Sequence, residues 1–268
     1  MMSRQRAATA LVPVLLAMGC PRPRLDLGPD GAARSSQELL KRVDLAESAV
    51  VSVRGEANLA IDGPQGKGST ALFVEVAPPN RVHLEQLDFF GRPQSVLVSD
   101  GERFGFYDGQ AARYFRGPAS RSNLERFVPI ALPLGELVAI LLGRVPRMKG
   151  EPSEFRLDER RGVYALSLSR DGYSQVLEVQ PSSSRIVHSA VTPAGAAYGL
   201  ELSDVRQLGG ATFPFRVRLV SEEKKTTLEL KWKSPVLNQP SDPALFEAAP
   251  PEGVPVIEID GEGQVVQG

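Results

Sequence analysis

Residues 226–233 have the sequence Thr-Thr-Leu-Glu-Leu-Lys-Trp-Lys, in which apolar and charged side chains alternate from Leu228 to Lys233. Successive side chains of a β-strand point to opposite faces of the sheet, so this pattern is typical of a strand with one apolar and one wet face. The stretch before it, 213–221, follows the same rule, with Phe213, Phe215, Val217 and Leu219 on one side. The two stretches predict an antiparallel sheet.

The period of two extends over most of the chain. Strands are predicted at 50–61, 68–77, 81–88, 94–99, 103–107, 112–115, 154–159, 163–169, 173–180, 185–192, 198–204, 213–221 and 226–233. Turn-forming pairs such as Asp100-Gly101 and Asp171-Gly172 separate them. Because a long sheet twists and curls, we expect a mainly β (α+β) fold, an unclosed antiparallel half-barrel.

Two segments have helical patterns. Ser36 begins a first helix, in which Leu39, Leu40 and Val43 form the apolar stripe. The only other helical stretch is 121–143, and its second half is almost entirely apolar between a first-turn proline and a terminal glycine. A helix this apolar is buried on most sides. We therefore expect a small helical lid over the concave face of the sheet.

Two or three helices leave part of a dozen-stranded concave face unfilled, which predicts a hydrophobic cavity. For each candidate residue, ordinary core packing is the alternative, so the prediction depends on their collective excess. The expected lining residues are Leu134, Leu137, Val138, Ile140, Leu141, Tyr164, Leu166, Leu168, Leu200, Leu202, Phe215, Val217, Leu228, Leu230 and Trp232.

The N-terminus has the pattern of a secretion signal. Arg4 and Arg6 precede an apolar run at 7–18, which is too short to span a bilayer, and Gly19 and Cys20 follow. Leu16-Ala17-Met18-Gly19-Cys20 resembles a lipobox, which implies that residues 1–19 are removed and that Cys20 carries the lipid. The alternative is a plain signal peptide with an incidental cysteine. Pro21, where inner-membrane lipoproteins often have Asp, favours the periplasmic face of the outer membrane.

The rest of the chain is divided by composition. Residues 20–35 are rich in Pro, Gly and Arg and are predicted to form a flexible tether. The half-barrel domain is expected over 36–250, and a flexible tail over 251–268.

Composition excludes several classes of function. There are 31 Lys and Arg residues against 32 Asp and Glu, so no basic excess favours nucleic acid as a partner. A single cysteine excludes an intramolecular disulfide. His83 and His188 are the only histidines, and no nucleophile or metal-ligand motif accompanies them. We expect no catalytic residue, metal or cofactor, and no enzymatic activity.

Three further segments carry a resemblance to a known family. Val53-Arg54-Gly55-Glu56-Ala57 is an opening strand, and Leu87-Asp88-Phe89-Phe90-Gly91 lies between two strands. Residues 132–146 contain Leu-Pro-Leu-x-x-Leu-x-x-Ile-Leu-Leu-Gly-x-x-Pro. Together these segments resemble the LolA/LolB superfamily of periplasmic lipoprotein carriers and receptors, LolB in particular. Ile140 departs from the family pattern, which often has Trp there, and so does the Phe89-Phe90 pair, where the family has Leu.

The resemblance implies a monomeric, lipid-anchored outer-membrane receptor with a helical lid over a hydrophobic cavity. It would bind the acyl chains (such as palmitate) of lipoproteins or lipids, accept them from a soluble LolA-like carrier and insert them into the membrane. Leu87, Phe89 and Phe90 would form the membrane-inserting loop, unless that loop packs under the lid. The alternatives are a glycolipid or phospholipid carrier, an envelope-stress sensor, and a structural envelope lipoprotein with a filled core.

Overall fold

A computed structural model describes residues 25–128, 132–192 and 198–266. The signal peptide and the lipid-attachment residue Cys20, predicted above, lie outside these described residues. The strands are β1 (Val53–Gly63), β2 (Gly66–Ala77), β3 (Arg81–Leu87), β4 (Pro93–Ser99), β5 (Arg103–Asp108), β6 (Arg113–Pro118), β7 (Glu151–Asp158), β8 (Val163–Arg170), β9 (Tyr173–Gln180), β10 (Arg185–Thr192), β11 (Tyr198–Leu208), β12 (Ala211–Ser221), β13 (Thr226–Trp232), β14 (Val236–Leu237) and β15 (Val256–Glu258). The helices are α1 (Ser36–Ser48), α2 (Arg121–Leu124), α3 (Leu134–Leu141) and a 3-10 helix at Pro243–Phe246.

All strands belong to one sheet, in the order β15-β6-β5-β4-β3-β2-β1-β13-β12-β11-β10-β9-β8-β7, with β14 also paired to β1. Every pair is antiparallel except β15 with β6. Within the described residues the path ends at β7 and β15, which do not pair with each other. The predicted unclosed half-barrel is confirmed, and so are the thirteen predicted strands, as β1 to β13.

Helix α3 lies in the core, as its apolar sequence predicts. Pro133 precedes it, and Gly143 ends it with φ of +70°. A Cβ added at Gly143 would lie 2.6 Å from Pro214 Cδ, so the position requires glycine both for its conformation and for its space. Helix α1 is capped by Ser35, whose hydroxyl accepts the backbone N–H of Glu38 at 3.2 Å.

The predicted helical stretch 121–143 is not one helix. The structure has α2 and α3 instead, with Phe127 and Val128 between them. Pro133 disfavours helical backbone at the residue before it, which separates the two helices. Residues 129–131 lie outside the described part of the chain. No helix among the described residues is long and apolar enough to cross a membrane.

The prediction of a flexible tail over 251–268 needs correction. Strand β15 pairs in parallel with β6, and Ile259 forms a bridge with Val265. The physical reason is burial, because Ile259 is 2% exposed and Ile257 packs against the core. The domain therefore extends beyond residue 250, at least to 266.

Part of the predicted tether is also held to the domain. Ala33 is buried, and its backbone N–H donates to the hydroxyl of Tyr164 at 2.6 Å. Arg42 donates to the carbonyl oxygens of Asp30 and Gly31 at 3.2 and 2.7 Å. The part of the predicted tether around residues 30–33 is therefore anchored to the domain by hydrogen bonds.

Candidate functional site

An apolar cavity of about 350 Å³ lies on the concave face of strands β1 to β5. Its lining follows the period of two, since Leu59 and Ile61 come from β1 and Leu72, Leu84 and Leu97 from the next three strands. The strand register places Leu59 opposite Thr70 and Leu84 opposite Leu97, so these side chains share one face. The full lining consists of Leu59, Ile61, Gly68, Ser69, Thr70, Leu72, Leu84, Gln86, Ser95, Leu97, Phe106, Phe127 and Val128. None of these side chains carries a charge.

One side of the cavity is covered by residues 121–128, which we call the flap. The ring of Phe127 stacks on Phe106 with a centroid distance of 4.1 Å. It also lies 5.6 Å from the ring of Phe104 and 5.5 Å from that of Phe115. Offset aromatic contacts at these distances are favourable beyond the area they bury. The flap is therefore held over the cavity by an aromatic cluster.

The C-terminal residues 255–266, which we call the strap, hold the flap from outside. The buried side-chain amide of Asn123 donates to Asp260 O and to Pro118 O, both at 2.8 Å. Ser122 Oγ donates to Gly261 O at 3.0 Å, and the Arg126 guanidinium donates to Gly263 O. The strap therefore positions the segment that covers the cavity.

A second, polar pocket of about 470 Å³ adjoins the cavity. The two hollows share Ile61, Phe127 and Val128 as lining residues. The polar pocket is further lined by the β1–β2 turn (63–66) and by Glu125, Arg126, Lys224 and Thr226. The ring of Phe127 thus stands at the boundary between an apolar and a charged compartment.

The tip of the β3–β4 hairpin projects two phenyl rings into solvent. Phe89 is 97% exposed and Phe90 is 79% exposed, and their rings meet edge to face at 5.5 Å. Asp88 accepts hydrogen bonds from the backbone N–H groups of Phe90 and Arg92, both at 2.8 Å. These bonds, above all the one from Arg92, hold the pKa of the Asp88 carboxyl below its usual value. The alternative in which the loop packs under the lid is excluded for Phe89 and Phe90, while Leu87 is half-buried.

The tip and the cavity are neighbours. A groove of about 750 Å³ beneath the tip is lined by Asp88 and Arg92 as well as by Gln86, Ser95 and Phe106. These last three residues also line the apolar cavity. A ligand leaving the cavity along β3 and β4 would therefore reach the base of the tip.

The predicted lining set does not line this cavity. Thirteen of the fifteen side chains are buried in the packed core, while Phe215 and Leu228 are partly buried against it. Most of these side chains pack against α1 and α3 on the β7 to β13 side, which also keeps a pocket of about 360 Å³ lined by residues such as Glu136, Gln175 and Tyr198. Sequence analysis missed the cavity residues of β1 to β5 and the flap. Their alternation is visible in the sequence, but which strands the helices cover is not.

Nothing in the described residues resembles a metal site, since no three His, Cys, Asp or Glu side chains converge there. His83 Nδ1 lies 2.8 Å from Leu245 O, and the side chain is half-buried on the face of β3 that the 3-10 helix covers. His188 lies within β10 opposite Glu201 of β11. The histidines lie on different strands and are not brought together.

No protein-family model matches the chain, and the comparison with curated proteins gives no match. Solved structures do match its fold. A Vibrio parahaemolyticus domain named for outer membrane lipoprotein sorting aligns with a TM-score of 0.56 and 10% identity, over 78% of this chain and 94% of that domain. The LolA superfamily protein NE2245 from Nitrosomonas europaea aligns with a TM-score of 0.54 and 14% identity, over 80% and 98%.

A DUF1329 family protein from Desulfovibrio piger aligns with a TM-score of 0.52 and 11% identity, over 78% of this chain and 95% of that protein. At such low identity the likeness concerns the fold. The resemblance to the LolA/LolB superfamily is confirmed at that level.

Proposed function

We propose that this protein, which has the LolA-like fold, is a lipid-anchored acyl-chain carrier at the periplasmic face of the outer membrane. In this proposal it receives lipoproteins from a soluble LolA-like carrier and inserts them into that membrane, as LolB does. The observation that carries the proposal is the uncharged apolar cavity that opens beside an exposed aromatic tip.

The cavity supplies the energy that acyl binding needs. Each methylene moved out of water is worth roughly 0.8 kcal/mol, so a chain of sixteen carbons needs shelter on the order of 10 kcal/mol. Apolar walls provide this shelter without any chemical step. Transfer then requires only that the site receiving the chain binds it more tightly than this cavity does. We therefore propose that the protein acts without nucleotide and without catalysis.

The tip has the chemistry of a membrane contact. Exposed Phe89 and Phe90 offer apolar rings to the acyl boundary, and the Arg92 guanidinium lies 5.3 Å from the Phe90 ring. Aromatic and basic side chains together are typical of the interface between headgroups and acyl chains. We propose that the tip docks on the membrane while the cavity delivers its chain along the groove beneath.

Anchoring through Cys20 is supported by the lipobox-like sequence at 16–20. Metabolic labelling with palmitate, followed by membrane fractionation, tests it. We expect label in the outer-membrane fraction for the natural protein and none for Cys20→Ser. Label that persists in Cys20→Ser would contradict the anchor.

Acyl binding is tested with the mature protein carrying Cys20→Ser and a fluorescent sixteen-carbon fatty acid. We expect saturable binding that Leu84→Trp abolishes, because the indole fills the cavity. Lys231→Trp, on the outer face of β13, is the matched control and should bind normally.

Transfer to vesicles should fail in the double variant Phe89→Glu/Phe90→Glu, while uptake of the probe stays normal.

A structural envelope lipoprotein is the second candidate. The packed core on the β7 to β13 side favours it, since most of the apolar side chains there are buried. Saturable uptake that depends on Leu84 excludes this candidate. A cavity that takes no acyl probe, in a protein that is folded by circular dichroism, would favour it instead.

A further inference from the structure

We infer that the apolar cavity and the polar pocket form one bipartite site for an amphiphile with a single acyl chain and an anionic headgroup, a phosphate or a carboxylate. The inference deepens the proposed acyl-binding function and rests on it. It names the class of ligand from the two compartments and their charges.

The two compartments are adjacent. Ile61, Phe127 and Val128 line both, and β1 pairs with β2 through Ile61–Gly68 in the cavity and Gly63–Gly66 at the pocket. A chain lying along the concave face of β1 and β2 would therefore end at the pocket. Its polar end would emerge between the β1–β2 turn and the flap.

The pocket has the charges of an anion site. It is lined by two cations, Arg126 and Lys224, against one carboxylate, Glu125. Neither cation forms a salt bridge with any residue that the structure describes. Guanidinium and ammonium groups bind phosphate and carboxylate oxygens through charge-assisted hydrogen bonds. The cavity lining, in contrast, contains no charge with which a headgroup could pair.

Both cations are placed by the fold. Arg126 is held by its bond to Gly263 O in the strap, which leaves its other N–H groups available. Lys224 belongs to the β12–β13 turn, where its N–H donates to Ser221 Oγ at 3.2 Å and its carbonyl accepts from Thr226 Oγ1 at 2.9 Å. Because these hydrogen bonds already restrict both residues, less conformational entropy is lost when Arg126 and Lys224 bind an anion together.

The size of the cavity favours one chain. A volume of about 350 Å³ is at the lower end of the range of roughly 300–1,000 Å³ for small-molecule sites. One chain in the cavity with its headgroup in the polar pocket fits both compartments.

The test is a competition experiment with the mature protein carrying Cys20→Ser and a fluorescent fatty acid as reporter. The competitors share one sixteen-carbon chain: palmitate, palmitoyl-lysophosphatidylglycerol and neutral monopalmitoylglycerol. We expect at least one anionic competitor to bind about tenfold more tightly than the neutral one, and the advantage to shrink in salt. Palmitate and the lysophospholipid distinguish a free carboxylate from a lipid phosphate as the natural headgroup.

The double variant Arg126→Gln/Lys224→Gln should lose this preference and bind the neutral competitor as before. Lys225→Gln, on the same turn but outside the pocket lining, is the matched control and should keep the preference. Equal affinity for anionic and neutral competitors in the natural protein would overturn the inference, and so would a preference that survives the double variant. If no acyl compound binds at all, the proposed function itself fails.

Discussion

Asp88 and Arg92 form three hydrogen bonds with each other across the β3–β4 tip. Asp88 Oδ1 accepts the backbone N–H of Arg92 at 2.8 Å, and Oδ2 accepts its Nε–H at 2.9 Å. The backbone N–H of Asp88 in turn donates to Arg92 O at 2.8 Å. Because these bonds close the turn from within, Phe89 and Phe90 are presented to solvent without any ligand. The carboxylate of Asp88 therefore sets the shape of the tip.

Asp88→Ala should loosen the tip. The turn loses three side-chain hydrogen bonds, so we expect slower transfer of an acyl probe to vesicles with unchanged affinity of the cavity for the probe. Stopped-flow transfer rates, compared with equilibrium titrations, measure the two quantities separately. Asp100→Ala is the control, because Asp100 Oδ1 similarly accepts the N–H groups of Glu102 and Arg103 in a hairpin turn away from the tip. If both variants slow transfer equally, the tip has no special role.

The buried guanidinium of Arg185 joins the end of α3 to the sheet. It donates to Gly143 O at 3.2 Å, to Thr212 Oγ1 at 3.1 Å and to Thr212 O at 2.5 Å. Burial lowers its pKa to about 10. Arg185→Met should lower the free energy of unfolding by about 3 kcal/mol, because buried carbonyl groups lose their donors.

Denaturant unfolding measures this loss. Arg170→Met is the control, since exposed Arg170 pairs with Asp171 on the surface and its replacement should change stability by no more than about 0.5 kcal/mol. Equal stability of the two variants would show that Arg185 does not secure α3.

Glu47 is 7% exposed, and its burial raises the pKa of its carboxyl above 4.5 despite the nearby guanidinium groups of Arg147, Arg185 and Arg144. A carboxyl with a raised pKa in the folded state favours folding most when it is protonated. The stability of the natural protein relative to that of Glu47→Gln should therefore be greatest below pH 4.5. It should fall as the pH rises through the folded-state pKa of Glu47. Unfolding titrations of both proteins from pH 4 to about 7 test the sign.

Glu38→Gln should show the opposite trend. The backbone N–H of Arg34 and the guanidinium of Arg42 lower the pKa of Glu38. The contribution of the Glu38 carboxylate to stability is therefore present above pH 4.5 and is lost as the pH falls. If the stability difference between each variant and the natural protein changed with pH in the same direction for both variants, the raised pKa assigned to Glu47 would be wrong.

The strap should be released by Ile257→Asp, which places a charge against the core. Tyr114 N–H donates to Pro255 O at 2.9 Å, so its hydrogen exchange reports whether β15 is attached. We expect that exchange to accelerate by about tenfold or more, and the acyl probe to dissociate faster as the flap loses its bonds to the strap. Val256→Asp is the control, because Val256 is 40% exposed. Protection of Tyr114 that is unchanged in Ile257→Asp would contradict attachment through this residue.

Much of the fold follows from local pattern. The alternation over 226–233 and the Asp-Gly turns determine strands and hairpins from neighbouring residues alone. Helix α3 is similarly marked by Pro133 and Gly143. Strand β15 is three residues long, too short for a clear alternation, and its partner strand β6 lies far away in the sequence.

The position of the cavity could not be predicted from local sequence pattern. Leu166 and Leu84 both lie in stretches with a period of two, yet the first is fully buried and the second lines the cavity. The difference depends on where α1 docks, through contacts such as that of Ala33 with Tyr164. Contacts between residues 131 positions apart leave no signature in a local pattern. Exposure of Phe89 and Phe90, in contrast, follows from a short turn that Asp88 closes.

The position of the apolar cavity beside the packed core has a consequence for evolution. Leu59 and Leu84 line the cavity, so exchanging them reshapes it while the bond of Arg185 to Gly143 O after α3 remains. Descendants of this sequence can therefore acquire new cargo preferences without first acquiring compensating stabilising mutations. Variation among natural homologues should be concentrated at the positions that line the cavity.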